Sequence, residues 1–490
     1  MNDYEFGNYI YMLRTGLCLS QFQLGSMVGV TDKAVSKWEN GSARPRIDTC
    51  RKLANALGVS VDELLGHSKK SAGDGELEKE KQELLLIAEK ALHEKYGPNP
   101  SLECVGRLQS EISAIEDKET IRTIRLLGVL ADKAAETDTP VTFRGTYGSL
   151  FTVWLLGGSR VNPLPPHYYC PFCHRFETLY SARDGWDLPE KICCKRKMTR
   201  DGHRISFEGH IAGVKKLGAS PEMTVPHSFE VTAEQTVRSF FRDSSKVIPV
   251  RFLPEDNHSQ DSLKLAVFPN KGPVPSVDDT GMWKVSVEEF YTGRHPYMVS
   301  FIFSDVLDDL EGKRKKAGYV PLTDSLLTQD NLTAFRKKQY AGLSELANLT
   351  ADDIGSFELI LKTEGFIHGT NVLTENEMDP LKNRSLPVKD LLSLREDVWD
   401  EIISRIHPGS MAGSGFALKV MEETRKGLYA RKYHGIPEET ERLLKEIGIS
   451  ENTLSQMKHI LYMFPRSHCI EFILIGLELE YFNGKGLGIS

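Results

Sequence analysis

The sequence predicts a multidomain chain with a small all-α module at its amino end, an α+β region carrying a compact cysteine-rich insert, and a mostly α-helical remainder. Three observations carry this. The first 66 residues read as short capped helices without a strand pattern, four cysteines crowd into residues 170–194, and from about residue 321 apolar residues recur mostly at helical spacing. With 490 residues, 40% of them hydrophobic and 26% charged, the chain has room for roughly three domains of ordinary size. No run of about 18 apolar residues occurs, and the opening MNDYEFGNYI has no basic stretch leading into an apolar one. A protein of the bacterial cytoplasm, without a membrane span or secretory signal, is therefore expected.

The net charge of −7 argues against a protein that coats nucleic acid indiscriminately, but its distribution is uneven. Residues 1–70 hold nine Lys and Arg against seven Asp and Glu, which leaves the remainder at −9, and KRKMTRDGHR at 195–204 is a second basic island. Of eight cysteines, the four between Cys170 and Cys194 are spaced like metal ligands in a reducing compartment. Cys18, Cys50, Cys104 and Cys469 stand apart and read as buried thiols.

The amino-terminal module spans residues 1–66. Ser20 is an N-cap for a helix over 21–27 with Leu24 and Met27 inward, Gly29 and Val30 make a tight turn, and Thr31 caps a second helix over 32–39 with Val35 and Trp38 inward. Gly41 ends that helix, Pro45 opens the next and Gly58 closes it. Thr31, Asp32, Lys33, Ser36 and Lys37 are left outward at the start of a helix that a major groove can receive. This pattern, with the run S-K-W-E-N-G-x-x-x-P, resembles the Cro/repressor type of helix-turn-helix domain over residues 4–66. The resemblance implies DNA binding, with Gln21, Thr31 and Ser36 facing the DNA directly and Lys33, Lys37, Arg44 and Arg46 on phosphates. It also implies a homodimer on paired half-sites, since one such module buries too little surface for tight specific binding.

Residues 67–80, HSKKSAGDGELEKE, read as a polar linker grading into a helix from about Leu77 to Tyr96, and a further helical pattern runs over 120–135. Next come FRGTYGSLF, NPLPPHYYCPFC and WDLPEKIC, and later MEETRKGL and MKHILYMFPRSH. In this order they resemble the palm and fingers of the PolC-type DNA polymerase III alpha subunit, over roughly residues 80–480. The resemblance implies a palm over 81–320 with a zinc-ribbon-like module at 163–208, and a fingers-like helical region over 321–490. It stops at YFNGKGLGIS, short of the family's duplex-binding and clamp-binding regions.

The chain departs from that family at three places. The second cysteine pair, C-P-x-C in the family, reads Cys193, Cys194, Lys195, Arg196 here, so an arginine falls on the fourth ligand position, where a cation cannot bind zinc. A retained structural zinc would be held by Cys170, Cys173, Cys193 and one of Cys194, His174 or His203. Where the family places two palm aspartates, P-E-M-T puts Glu222 and Thr224, and near the third the strand reads Phe301, Ile302, Phe303, with Asp305 close by but without an assigned role. Two-metal phosphoryl transfer needs several carboxylates, so no catalytic residue and no Mg²⁺ are expected. The nucleotide loop keeps Arg144, Gly145, Gly148 and Ser149 as a remnant, altered by Thr146 and the bulky Tyr147. In the fingers-like part Lys458, Arg466 and His468 fall where the family contacts phosphates, and the charge run EGKRKKAG at 311–318 reads as a solvated loop.

Together these readings predict a sequence-specific DNA-binding regulator with a noncatalytic polymerase-like region. The alternatives are a divergent polymerase using Glu222 and Asp305, or a decoy that engages a replication protein.

Overall fold

The computed structural model of the chain describes residues 3–16, 19–39, 42–57, 59, 61, 64, 74–206, 221–241, 246–252, 262–268, 276–279, 281–285, 297–339, 356–373, 391–406 and 413–487. Gly41, Gly58 and Cys18 lie outside the described residues, as do residues 67–73 of the expected linker and residues 207–213 of the polymerase-like motifs.

Among the described residues, the amino-terminal module has the helices α1 (Asp3–Gly16), α2 (Gln21–Val28), α3 (Asp32–Glu39) and α4 (Ile47–Leu57). Ser20 closes a capping box on α2, its hydroxyl accepting from the Gln23 amide at 3.1 Å while Gln23 Oε1 accepts from the Ser20 amide at 2.6 Å. Gly29 ends the helix in the left-handed region, φ 78, which an L side chain adopts only under strain. Leu24, Val28, Val35, Trp38 and Leu53 meet in one core with Phe6 of α1. Each such side chain contributes about 1.5–3 kcal/mol on burial. Met27, expected inward, is 40% exposed; Val28, one turn on from Leu24, takes the inward place.

Helix α5 (Asp74–Tyr96) starts within the stretch expected to be linker, followed by α6 (Leu102–Ser113) and α7 (Lys118–Ala135). Glu76, Glu80 and Glu83 on α5 pair with Lys118, Arg122 and Arg125 on α7. These partners advance together along both helices, so α5 and α7 run in the same direction. The acidic stretch that reads as linker in composition is thus the pairing edge of a helix. The helices pack on the sheet through Leu84, Leu92, Ile124 and Leu127, in a core that also holds Met223, Val225 and Phe301.

That sheet has six strands, β1 (Thr142–Phe143), β7 (Glu222–Val225), β8 (Val247–Phe252), β9 (Ser262–Val267), β10 (Trp283–Val285) and β11 (Tyr297–Phe303), in the order β1-β7-β11-β9-β8-β10. β7 and β11 are parallel neighbours, while β1 joins β7, and β9 joins both β11 and β8, antiparallel. Between β1 and β7 the chain makes helix α8 (Phe151–Leu155) and the cysteine module. The module consists of a three-stranded sheet, β3-β2-β6, from β2 (His167–Tyr169), β3 (Phe176–Thr178) and β6 (Thr199–Asp201), and a hairpin of β4 (Ile192–Cys193) and β5 (Arg196–Lys197).

After β7 comes α9 (Glu230–Phe240), and after β11 comes α10 (Asp305–Ala317). The charge run 311–318, expected as a solvated loop, is the second half of α10. Arg314 within it is buried and donates to both oxygens of Glu478, at 2.6 and 3.0 Å. The longer helices described after α10 are α11 (Gln329–Gln339), α12 (Phe357–His368), α13 (Arg395–Ile403), α14 (Ser414–Arg425), α15 (Glu438–Glu446), α16 (Glu451–His459) and α17 (Arg466–Gly484). Helix α17 packs against residues that lie before the boundary expected at residue 320. Its Glu478 takes Arg314 and Arg160, its Glu471 takes the Arg160 amide, and its Ser467 meets Ser149.

Candidate functional site

The helix-turn-helix pair presents a polar edge. Thr31 Oγ1 accepts from the Ala34 amide at 3.3 Å, which fixes the start of α3. From that start Thr31, Lys33 and Lys37 are exposed and Ser36 is half-buried, while Val35 and Trp38 hold the helix from below. Arg44 and Arg46 are exposed on the segment leading to α4, and the Arg44 guanidinium lies 4.8 Å above the Phe6 ring. Gln21, expected to face DNA directly, is half-buried, and its amide donates to Glu39 Oε2 at 2.7 Å. Glu39 is itself held by Arg14, which donates to its two oxygens at 2.5 and 3.0 Å. Glu39 thereby ties α1, α2 and α3 together from one position.

The cysteine module brings Cys170, Cys173, Cys193 and Cys194 together, with their sulfurs all within 4.8 Å of one another. The fourth cysteine is brought in by a turn. Cys193 pairs with Arg196 across the hairpin, and the two residues between them, Cys194 (φ 49) and Lys195 (φ 60), are both left-handed, as a two-residue hairpin loop requires. This turn carries Cys194 into the cluster. Arg196, on the family's ligand position, stacks its guanidinium 4.1 Å from the Phe172 ring instead. Neither histidine alternative joins the cluster: His174 Nδ1 lies 2.8 Å from the Tyr169 hydroxyl, and the buried His203 is bound through Nδ1 to Asp184 at 2.8 Å. Hydrogen bonding from the Cys173 backbone lowers the Cys170 thiol to about 7. Four sulfur donors at this spacing fit a tetrahedral zinc site.

On the six-stranded sheet, alternation sends Met223 and Val225 into the core and turns Glu222 and Thr224 to the other face. Register adds the rest of that face. Ser300 and Ile302 of β11 lie beside Glu222 and Thr224, Lys264 and Ser262 of β9 lie beyond them, and Thr142 of β1 stands on the other side of Thr224. Glu222 is the only carboxylate at these register positions. Arg144 donates its backbone amide to the Glu222 carbonyl at 2.9 Å and its Nε to Thr224 Oγ1 at 2.8 Å. Burial lowers the Arg144 pKa, and the Glu222 charge opposes that shift. Asp305 opens α10 beyond the end of β11, where its carboxylate groups with His227 and Asp308 rather than with Glu222.

The remnant loop is differently employed than its residue types imply. Tyr147, expected to crowd it, is buried in the core with α7 and the sheet. Gly148 is required by crowding, since a Cβ there would stand 2.9 Å from the Phe143 carbonyl oxygen. The Ser149 hydroxyl is buried 2.7 Å from that of Ser467, while Gly145 is exposed and Arg144 is bound to Thr224.

The fingers-like candidates are likewise engaged. Arg466 is buried and bound by both oxygens of Glu358 and by Asp184, the latter at 3.2 Å, and its amide donates to Glu396 at 2.8 Å. It is not placed to meet a phosphate. Lys458 pairs with Glu441 at 3.1 Å, and burial, reinforced by Arg144 and His368, pushes the His468 pKa down to about 4. The carboxylate partners of Arg466 come from three distant segments, and no local motif announces them.

Comparison with known proteins agrees with both halves of this architecture. Residues 10–64 match the helix-turn-helix family model. Over 89% of its length the chain is 25% identical to the PolC-type DNA polymerase III of Lactococcus lactis subsp. lactis (strain IL1403), covering 31% of that protein. It is 24% identical over 80% of its length to the PolC-type enzyme of Thermotoga petrophila, covering 33%, and 24% identical over 83% to that of Clostridium perfringens (strain 13 / Type A), covering 32%. The chain thus spans about a third of the length of the curated relatives it matches. It joins a helix-turn-helix domain to a region similar to PolC-type DNA polymerase III. Among the described residues no helix is long and apolar enough to cross a membrane.

Proposed function

We propose that this protein is a sequence-specific DNA-binding regulator whose PolC-like region no longer polymerises and serves in binding. The carrying observation is the edge of α3, where Thr31, Lys33 and Lys37 are exposed at the start of a helix seated by Val35 and Trp38. Lys33, Lys37, Arg44 and Arg46 neutralise phosphates, and Thr31 and Ser36 read base edges. Pairing of two chains through the amino-terminal module supplies the second half-site. The cysteine module holds a structural zinc, with Cys194 as the fourth ligand.

The sheet face supports the noncatalytic reading. Two divalent ions about 4 Å apart require several carboxylates, and its described register positions supply Glu222 alone. A second reading, a decoy for a replication protein, is favoured by the similarity to polymerases over most of the chain. Mapping the DNA occupied by the tagged full-length protein in cells separates the two. Discrete peaks sharing a paired motif support regulation; enrichment that travels with replication forks, without such a motif, replaces it with the decoy.

A further inference from the structure

We propose that Arg196 is the counter-cation of the zinc–thiolate cluster, a fixed positive charge that raises the affinity of the site without ligating the metal. The inference deepens the zinc reading and rests on it. A zinc ion held by four thiolates leaves the group with a net charge of two minus, and Cys173 and Cys194 are exposed, so part of that charge faces solvent. The cations of the β4–β5 hairpin are Lys191, Lys195, Arg196 and Lys197. Lys191 is paired with Glu177 and Lys197 with Glu190, so each already has an anion. Arg196 pairs with no carboxylate among the described residues, and its exposed guanidinium rests on the Phe172 ring at 4.1 Å.

Two contacts set that guanidinium beside the cluster. Arg196 and Cys193 stand directly opposite across β4 and β5, so their side chains leave the hairpin on the same face, with Cα atoms about 5.5 Å apart. Phe172, under the guanidinium, immediately precedes Cys173, and the Cys173 and Cys193 sulfurs are 3.5 Å apart. The cation is thus held next to two ligand residues by a strand register and a ring. A stack suits the planar guanidinium, which is more weakly hydrated than an ammonium and keeps its charge close to apolar surface. Lys195, exposed on the turn, ends in a strongly hydrated head on a flexible stem and has no such anchor among the described residues. An anionic cluster assembled beside a fixed cation is more stable than the same cluster facing water alone. Removing the Arg196 charge should therefore weaken zinc binding while leaving the four sulfurs in place.

The test is equilibrium competition for zinc between the full chain and a chromophoric chelator, at fixed pH, with circular dichroism to verify the fold. At low salt Arg196→Gln should bind zinc about threefold or more weakly than wild type. Arg196→Lys, which keeps the charge on a head that stacks less well, should lie between the two, and Lys195→Gln should lose less than R196Q. Raising the salt to about 1 M shortens the Debye length to about 3 Å, so the deficit of R196Q should shrink to half or less. Cobalt-loaded R196Q should keep the tetrathiolate absorption spectrum of the loaded wild type, which separates a lost charge from a lost ligand. The proposal is overturned if R196Q matches wild type at low salt, if R196K is as weak as R196Q, if K195Q loses as much, if the deficit ignores salt, or if the cobalt spectrum changes. Wild type that takes up less than about a tenth of an equivalent of zinc would sink the zinc reading and this inference with it. One equivalent held equally well by wild type and R196Q would sink only the counter-cation.

Discussion

Cys194 is a ligand candidate because its backbone is left-handed, a conformation that costs about 1–2 kcal/mol for an L side chain. Cysteine pairing by sequence spacing points to Arg196 and leaves Cys194, His174 and His203 as alternatives. The hairpin turn, invisible in the spacing, sets Cys194 rather than either histidine beside the other three sulfurs. We expect Cys194→Ser to release zinc from protein that otherwise holds about one equivalent, whereas His174→Ala leaves the metal in place; chelator competition with elemental analysis distinguishes the two. Equal zinc in wild type and C194S would remove Cys194 from the ligand set. On α3 the outward residues were legible, because the burial of Val35 and Trp38 at helical spacing leaves little choice for the rest. Replacing Ser36 and Lys37 with alanine should weaken specific DNA binding by about 1–3 kcal/mol for the base contact of Ser36, with a further sequence-independent loss from the phosphate contact of Lys37. Fluorescence anisotropy on an operator duplex measures it, and unchanged affinity would mean that another helix reads the sequence.

At the scale of elements, α2, α3 and α4 of the amino-terminal module were readable from caps and apolar period, since both are local. The start of α5 and the second half of α10 were not. Their charged residues look like solvent-facing runs until their partners on α7 and α17 are known. The same holds for Arg466, whose motif resembles a phosphate contact and whose burial depends on Glu358 and Asp184. Arg466→Met should destabilise the polymerase-like region by about 3–5 kcal/mol, because it strands buried carboxylates, and denaturant unfolding should register it. A loss below about 1 kcal/mol would show that the cluster is not a structural hub. Helix α14 carries a pH-sensitive tie. Burial would raise the Glu422 carboxyl, but hydrogen bonds and charge from Arg425, joined by Lys426, outweigh it and hold the group at about 2. Since the folded value lies below the unfolded one, this stabilisation is present above the ordinary glutamate pKa and is lost as pH falls through about 2. Glu422→Gln should flatten the decline in melting temperature between about pH 4.5 and 2 relative to wild type.

For the whole molecule, two activities should separate cleanly. DNA affinity should fall steeply with salt, because each neutralised phosphate releases counterions, and the slope should shrink when Lys33 and Lys37 are replaced. A primed template with all four dNTPs and Mg²⁺ or Mn²⁺ should remain unextended by protein free of host polymerase. Extension that disappears in Glu222→Ala would instead make the sheet face an active site. The order of synthesis gives the Arg466 cluster a further consequence. Asp184, Glu358 and Glu396 all leave the ribosome before their cation does, and Arg466 follows Glu358 by 108 residues. At about 5–20 residues per second Glu358 waits about 5–20 s for it, and Asp184, 282 residues upstream, about 14–56 s. During that interval the cysteine module and α12 cannot dock with their charges balanced, so this part of the nascent chain should stay open to proteases and chaperones until α17 begins to emerge.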